Sequence, residues 1–205
     1  MLTIYNEEED REQKVEEPDA SLTYSYADYA KWKFLERLEL LKGRIFKLAA
    51  ANTNHQRATM KIGFDLYGFL KGKTCQVFIA PFDVRLPVKD RKRDDQITTV
   101  VQPDVCVFCD PAKIDERGAC GVPDLVVEVL SPSNSQYDVR DKFDVYQEAG
   151  VKEYWIVSPM QESIMVSLLQ ADGKYGASSV YKKADTLHAA TIPGFSVNIN
   201  ELFTH

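Results

Sequence analysis

The chain has 205 residues, of which 44% are apolar, and a formal net charge of −6. This length and apolar content suffice for a globular domain with a buried core, and no run approaches the roughly 20 apolar residues of a membrane helix. The first residues lack the basic and apolar regions of a secretory signal. We therefore expect an intracellular, cytoplasmic protein with no membrane partner.

The negative charge is concentrated at the N-terminus. Residues 1–20 contain eight acids and two bases, whereas the other 185 residues hold 23 bases and 23 acids. This distribution predicts an acidic, flexible tail over 1–20 and a single domain over 21–205. The densest basic run, VKDRKRDD at 88–95, also carries three aspartates, and we interpret it as a surface loop rather than a nucleic-acid patch.

Apolar periodicity predicts the elements of the first half of the chain. Residues 21–41 have helical spacing and are followed by a short strand, RIFKLA at 44–49. A second helix is predicted from His55 to Lys71, with one apolar stripe formed by Ala58, Ile62, Leu66, Phe69 and Leu70.

The second half alternates strands with one further helix. The segment DLVVEVL at 124–130 has apolar residues at both odd and even positions, as expected for a strand that is buried on both faces. A helix is predicted from Tyr137 to Ala149, ending at Gly150. The other predicted strands are QVFIA, FDVRL, VCVFC, EYWIV and a hairpin of IMVSLL and VYKK around Asp172-Gly173. This order indicates an α/β (α+β-like) fold, a mixed β-sheet flanked by helices.

The four cysteines are Cys75, Cys106, Cys109 and Cys120. Cys106 and Cys109 have the C-x2-C spacing of zinc sites, but they lie in a predicted strand, where residues three apart point to opposite faces. We therefore expect free, partly buried thiols, as in a reducing compartment.

Two charged residues occupy apolar settings. Glu128 stands in the middle of a buried strand, where an ionised carboxylate needs a cation, a metal or a salt bridge at the sheet end. Lys142 falls in the apolar arc of its helix, between Val139 and Tyr146. A lysine in this arc either extends its ammonium to solvent or pairs with a carboxylate, and Glu128 is a nearby candidate.

Asp104 supplies a second carboxylate. It follows Pro103 and directly precedes the strand VCVFC, so it can meet Glu128 from a neighbouring strand. Two carboxylates at adjacent strand ends can hold Mg²⁺, which prefers oxygen ligands and keeps waters. A lysine beside a metal-bound water can orient it during phosphodiester cleavage. Asp104, Glu128 and Lys142 therefore predict a hydrolytic site.

These residues resemble a known family. PDV at 103–105, PDLVVEVLSPS at 123–133, Asp138 with Lys142 and Tyr146, and GVKEYWIVSP at 150–159 are similar to the Uma2 family of the PD-(D/E)XK nuclease superfamily. The resemblance spans residues 24–203. It implies a restriction-endonuclease-like core and an endonuclease that uses Mg²⁺ or Mn²⁺ to cut nucleic acid, with DNA as the expected substrate and a homodimer as the expected assembly.

The resemblance also implies roles for individual residues. Asp104 and Glu128 match the two metal-binding acids. The position of the superfamily lysine holds Leu130, and the Uma2-like pattern instead places the lysine on the following helix, at Lys142. Glu39, in ELLKG, matches an additional acid, and His55 matches a histidine that opens the next helix. His55 could equally be a capping or hydrogen-bonded core histidine.

Two alternatives to an endonuclease stay open. One is a catalytically silent nuclease fold that binds nucleic acid or protein, which the neutral charge of 21–205 favours. The other is a structural Glu128–Lys142 ion pair in a protein of unrelated function.

Overall fold

The computed structural model describes residues 2–6, 11–15, 19, 21–48, 50–87, 92–131 and 136–204. The strands are β1 Leu2–Asn6, β2 Arg11–Val15, β3 Leu38–Leu41, β4 Arg44–Lys47, β5 Gln76–Ile79, β6 Val84–Arg85, β7 Val100–Val101, β8 Val105–Phe108, β9 Ile114–Asp115, β10 Gly118–Cys120, β11 Leu125–Val129, β12 Glu153–Ser158, β13 Ser163–Leu168, β14 Ser179–Tyr181, β15 Thr186–His188 and β16 Ser196–Asn198. The helices are α1 Tyr26–Tyr29, α2 Thr53–Leu70, α3 Gln136–Ala149 and α4 Ile199–Phe203. No helix in the described ranges is long and apolar enough to cross a membrane.

The chain divides into two compact units. The first comprises Met1–Ala50 with Arg85–Val101, and the second comprises Ala51–Val84 with Gln102–His205. The predicted boundaries, a tail to residue 20 and one domain from residue 21, coincide with neither unit and stay a prediction.

In the first unit, the predicted helix over 21–41 is wrong. Only Tyr26–Tyr29 is helical, and Leu38–Leu41 is a buried strand paired with β4 and β7. The cause is the connection to β4, a two-residue turn in which Lys42 and Gly43 both have positive φ, 52° and 81°. Such turns match the twist of paired strands and set their register. Strand pairing therefore overrides the helical spacing.

The acidic N-terminal segment contains two strands, and the flexible tail over 1–20 stays a prediction. β1 and β2 form an antiparallel pair, with Leu2 opposite Val15. The Leu35 N–H donates to the Thr3 carbonyl at 2.8 Å, and the Thr3 N–H donates to Oε2 of Glu36 at 2.7 Å. That hydrogen bond holds the pKa of Glu36 at about 2. Part of the acidic segment is thus strand-paired within the first unit.

The second unit contains a six-stranded mixed sheet in the order β14-β13-β12-β11-β8-β5. β11 and β12 are parallel, whereas β8 runs antiparallel to β11 and β13 runs antiparallel to β12. α2 packs on one face, in a core that includes Ile62, Leu66, Val127 and Trp155. α3 lies on the other face, where the Tyr146 and Tyr154 rings are 5.0 Å apart. This confirms the predicted mixed sheet flanked by helices.

The prediction of four free thiols is wrong for two of them. Cys75 and Cys109 form a disulfide, while Cys106 and Cys120 are free. The register explains the pairing, because β5 and β8 place Gln76 opposite Phe108, so the next residues outward also face each other. With Cys109 in a disulfide, the C-x2-C spacing does not form a thiolate pair.

Candidate functional site

Asp104 directly precedes β8, and Glu128 lies on β11, the antiparallel neighbour of β8. The register of the two strands includes the pair Val105 and Val127, and Asp104 and Glu128 are each the next residue along the chain from one member of that pair. The Val129 N–H donates to Oδ2 of Asp104 at 2.8 Å, which ties the Asp104 carboxylate to β11 beside Glu128.

Glu128 is held by two donors from α3. Lys142 Nζ donates to Oε1 of Glu128 at 3.0 Å, and Tyr146 Oη donates to the same oxygen at 2.6 Å. Lys142 and Tyr146 are four residues apart, so they share one face of the helix. The Lys142 and Glu128 side chains are only 13% and 11% exposed. The charge buried on β11 is therefore offset by the charge buried on α3, as their apolar settings predicted.

Asp104 is held from α2. Asn52 caps this helix by accepting a hydrogen bond from the His55 N–H at 2.9 Å, which sets His55 in the first turn. His55 Nε2 lies 3.1 Å from Oδ2 of Asp104, and His55 Nδ1 lies 3.4 Å from Oγ1 of Thr59. A carboxylate only accepts hydrogen bonds, so a neutral His55 presents Nε2–H to Asp104 and accepts from Thr59 at Nδ1.

A third buried carboxylate shows a different arrangement. Glu153 on β12 is fully buried and accepts hydrogen bonds from Trp155 Nε1, the Ala190 N–H and both the N–H and the hydroxyl of Thr191. Protein donors thus engage both of its oxygens. At Asp104, the hydrogen bonds from described residues go to Oδ2, which leaves Oδ1 for a ligand. Glu153 binds Ala190 and Thr191 to the sheet, whereas Asp104 has one carboxylate oxygen, Oδ1, that can accept a ligand.

The donor set bears on which metal the site could hold. Across the described ranges, no group of three or more His, Cys, Asp or Glu side chains is placed to hold an ion. A closed structural zinc site needs about four such ligands. Mg²⁺ is commonly held by one or two carboxylates and completes its shell with waters. Asp104 and Glu128 fit this second pattern.

Glu39 and Asp124 are two further buried acids. Glu39 is buried on β3 in the first unit, opposite Phe46, and its part in the site stays a prediction. Asp124 begins β11 and binds Lys152 Nζ and the Cys109 N–H, each at 2.8 Å. Burial alone would raise the pKa of Asp124, but these hydrogen bonds outweigh it and lower the pKa. Asp124 is therefore tied to neighbouring strands, in keeping with a structural role.

Sequence reasoning missed two residues that contact the site. Tyr146 was placed in the apolar arc of α3 and in the family pattern but was given no role in the site, and Thr59 was not singled out. Each stands one helical turn after a predicted site residue, Tyr146 after Lys142 and Thr59 after His55. A polar group four residues from a buried charge on the same helix face was the available signal.

The comparisons with known proteins agree on the fold. The model of the Uma2 family, described as "Putative restriction endonuclease", matches residues 26–200. The chain is 26% identical to "Uncharacterized protein slr1290" of Synechocystis sp. over 179 residues, which covers 86% of this chain and 89% of the relative. It is 27% identical to "Uncharacterized protein sll1609" of the same organism, covering 60% and 66%. A protein of Anabaena variabilis ATCC 29413, described as "a putative nuclease belonging to DUF820", superposes with a TM-score of 0.70 at 17% identity, over 88% of this chain and 97% of that one.

Proposed function

Since the chain belongs to the Uma2 family of the PD-(D/E)XK nuclease superfamily, we propose that it is a Mg²⁺-dependent endonuclease. The observation that carries the proposal is the meeting of three charged groups from separate elements. Asp104, which precedes β8, accepts a hydrogen bond from the N–H of Val129, the residue after Glu128 on β11, and Lys142 of α3 binds Glu128. This combination of two acids and one lysine suits the hydrolysis of a phosphodiester.

Asp104 and Glu128 would hold the metal, Mg²⁺ or Mn²⁺. When bound, such an ion polarises the phosphoryl oxygens and lowers the pKa of a coordinated water. Lys142 places its ammonium beside Glu128, where it can orient the attacking water and stabilise the negative charge that develops on the phosphate. Lys142 is thus proposed to act on the substrate as well as to balance the charge of Glu128.

The remaining residues are proposed to position these groups. His55 binds Oδ2 of Asp104 and so restricts the rotation of that carboxylate. Tyr146 fixes Oε1 of Glu128 and restricts the rotation of that carboxylate. Glu39 is proposed as an additional acid of the site, on the family resemblance alone.

We propose DNA as the substrate, on the description of the family as restriction endonucleases. Residues outside the acidic N-terminus carry balanced charge, so no global positive field draws in a polyanion. Binding would then depend on local contacts and on the metal, and the affinity should fall with added salt less steeply than for a strongly basic protein.

Nicking of supercoiled plasmid DNA in Mg²⁺ or Mn²⁺ tests the proposal. Glu128→Gln and Asp104→Asn keep the shape of each side chain while removing its charge, and we expect each to abolish nicking while the circular dichroism spectrum stays that of a folded protein, with a lower thermal midpoint for Glu128→Gln. Asp144→Asn, which alters an exposed carboxylate of the same helix as Lys142, is the matched control and should nick normally. Wild-type protein that cuts neither DNA nor RNA with any divalent metal would contradict the proposal.

A catalytically silent binding protein is the second candidate, favoured by the balanced charge of residues 21–205. Calorimetric titration with MgCl₂ separates the two. An endonuclease should bind Mg²⁺ in the wild type and lose that binding in Glu128→Gln, whereas a binding module need show no such difference.

A further inference from the structure

One face of the second unit carries a cluster of exposed apolar side chains. Met60, Phe64 and Tyr67 are 65%, 70% and 61% exposed and recur along one side of α2, and Ile79 of β5 is 44% exposed. The four are contiguous, because Ile79 lies over Gly63 of α2. A Cβ added at residue 63 would be 2.4 Å from Cδ1 of Ile79. We refer to Met60, Phe64, Tyr67 and Ile79 as the α2–β5 patch.

The patch borders an open sheet edge. β5 is the last strand in the order of its sheet and pairs with β8 on one side. Terminal strands offer unpaired N–H and C=O groups and are commonly protected by charges or proline. Gln76–Ile79 contains neither. A hydrogen-bonding edge and an apolar helix face therefore lie side by side.

The size of the patch is in the range of an interface. Two aromatic side chains, one methionine and one isoleucine at these exposures present roughly 400–500 Å² of surface, which is as large as the functional patches of many monomeric proteins. Two copies of the patch would bury about 900 Å² from these side chains alone, near the ~1,000 Å² minimum for a specific interface. The strand edge adds to that area.

We propose that the α2–β5 patch binds the same patch of a second copy of this chain. A two-fold axis perpendicular to the sheet would pair β5 with the β5 of the second copy in antiparallel fashion. The same rotation keeps each α2 on the same side of the joined sheet, so the two apolar helix faces meet. One symmetry operation thus covers both the strand edge and the helix face, which is the requirement for a self-complementary interface.

The charges beside the patch are compatible with self-association. Lys61 Nζ and Oδ2 of Asp65 are 2.6 Å apart along α2, so the charged pair next to Phe64 is neutral as a whole. The centre of the patch has no charged member that would oppose its own copy. Apolar surface without net charge is typical of the centre of a protein–protein interface.

Sedimentation and light scattering of the full chain without nucleic acid test this interface. At protein concentrations from about 1 to 100 μM, which bracket weak to moderate affinities, we expect a wild-type mass close to twice 23.3 kDa. Phe64→Asp on the helix and Ile79→Lys on the strand should each shift the mass to that of one chain. Both positions are exposed, so circular dichroism and the thermal midpoint should stay near those of the wild type.

Val180→Asp is the matched control. Val180 is also exposed and lies on β14, the opposite terminal strand of the same sheet. This variant should remain dimeric. A wild type that is monomeric across the concentration range, or a dimer that survives Phe64→Asp and Ile79→Lys or is lost in Val180→Asp, would overturn the assignment. The measurement needs neither metal nor substrate, so its outcome is independent of the proposed nuclease activity.

Discussion

Lys142 Nζ donates to Oε1 of Glu128 at 3.0 Å, although the two residues are 14 positions apart on different elements. Both side chains are nearly buried. A buried charge that loses its partner is strongly destabilising, whereas a buried pair as a whole adds little to stability. Substitutions at this pair therefore affect folding and chemistry together, and the two effects have to be measured separately.

Lys142→Met should lower both activity and stability. It removes the ammonium that donates to Oε1 of Glu128, at a cost of about 3 kcal/mol in the free energy of unfolding, and DNA nicking should fall by at least about 100-fold. Urea unfolding and plasmid nicking measure the two effects. The double variant Lys142→Met, Glu128→Gln should recover much of the stability and none of the activity. If Lys142→Met is as stable as the wild type, the Lys142–Glu128 contact does not contribute to stability.

Tyr146→Phe should weaken the positioning of Glu128. It removes the hydroxyl at 2.6 Å from Oε1 of Glu128 while the ring keeps its contact with Tyr154. We expect a loss of about 1–2 kcal/mol in stability and a fall in kcat with KM nearly unchanged. A weaker calorimetric affinity for Mg²⁺ would separate positioning from general destabilisation. Unchanged kcat and Mg²⁺ affinity would rule out the positioning role.

Tyr175→Phe is expected to have the opposite effect on stability. The Tyr175 hydroxyl is buried and, among the described residues, has no hydrogen-bond partner, and burial raises the pKa of this phenol. Removing an unsatisfied buried hydroxyl should raise the free energy of unfolding by about 1 kcal/mol. Urea unfolding measures the change, and a destabilised variant would reveal a partner for the hydroxyl.

Thr59→Val should disturb His55 rather than the core. The substitution keeps the volume of the side chain but removes the group 3.4 Å from Nδ1 of His55. We expect the His55 ring to lose its single Nε2–H tautomer, with a severalfold fall in nicking rate. ¹⁵N shifts of the imidazole report the tautomer directly. Thr99→Val, which alters a buried threonine in the first unit, serves as a control and should leave the His55 spectrum unchanged.

Asp124 should contribute to the stability of the fold at low pH. The pKa of Asp124 in the folded chain lies below that of a free aspartate, so the folded state favours the ionised form. The stabilisation is complete above the ordinary aspartate pKa of about 3.9 and is lost as pH falls through the lower folded pKa. Asp124→Asn should therefore flatten the dependence of unfolding free energy on pH below about 4. If the unfolding free energies of the variant and the wild type change equally with pH, Asp124 does not contribute to the pH dependence.

Apolar periodicity along the chain predicts the elements whose burial pattern is local. α2, α3, β8, β11 and β12 follow from apolar periodicity, because a residue's face on a helix or strand depends only on its position in that element. The same reasoning identified Glu128 and Lys142, since a charge in an apolar pattern needs a partner wherever the chain places it. The cation expected beside Glu128 is Lys142 of α3, the next helix along the chain.

Features that depend on residues distant in the chain appear only in the folded protein. Residues 38–41 form a strand because β3 pairs with β4 and β7, against their helical spacing. Cys75 forms a disulfide with Cys109 because the β5–β8 register places the two residues opposite each other. His55 contacts the Asp104 carboxylate because α2 packs beside the start of β8. Strand partners, register and helix docking are set by packing over the whole unit, and no local pattern encodes them.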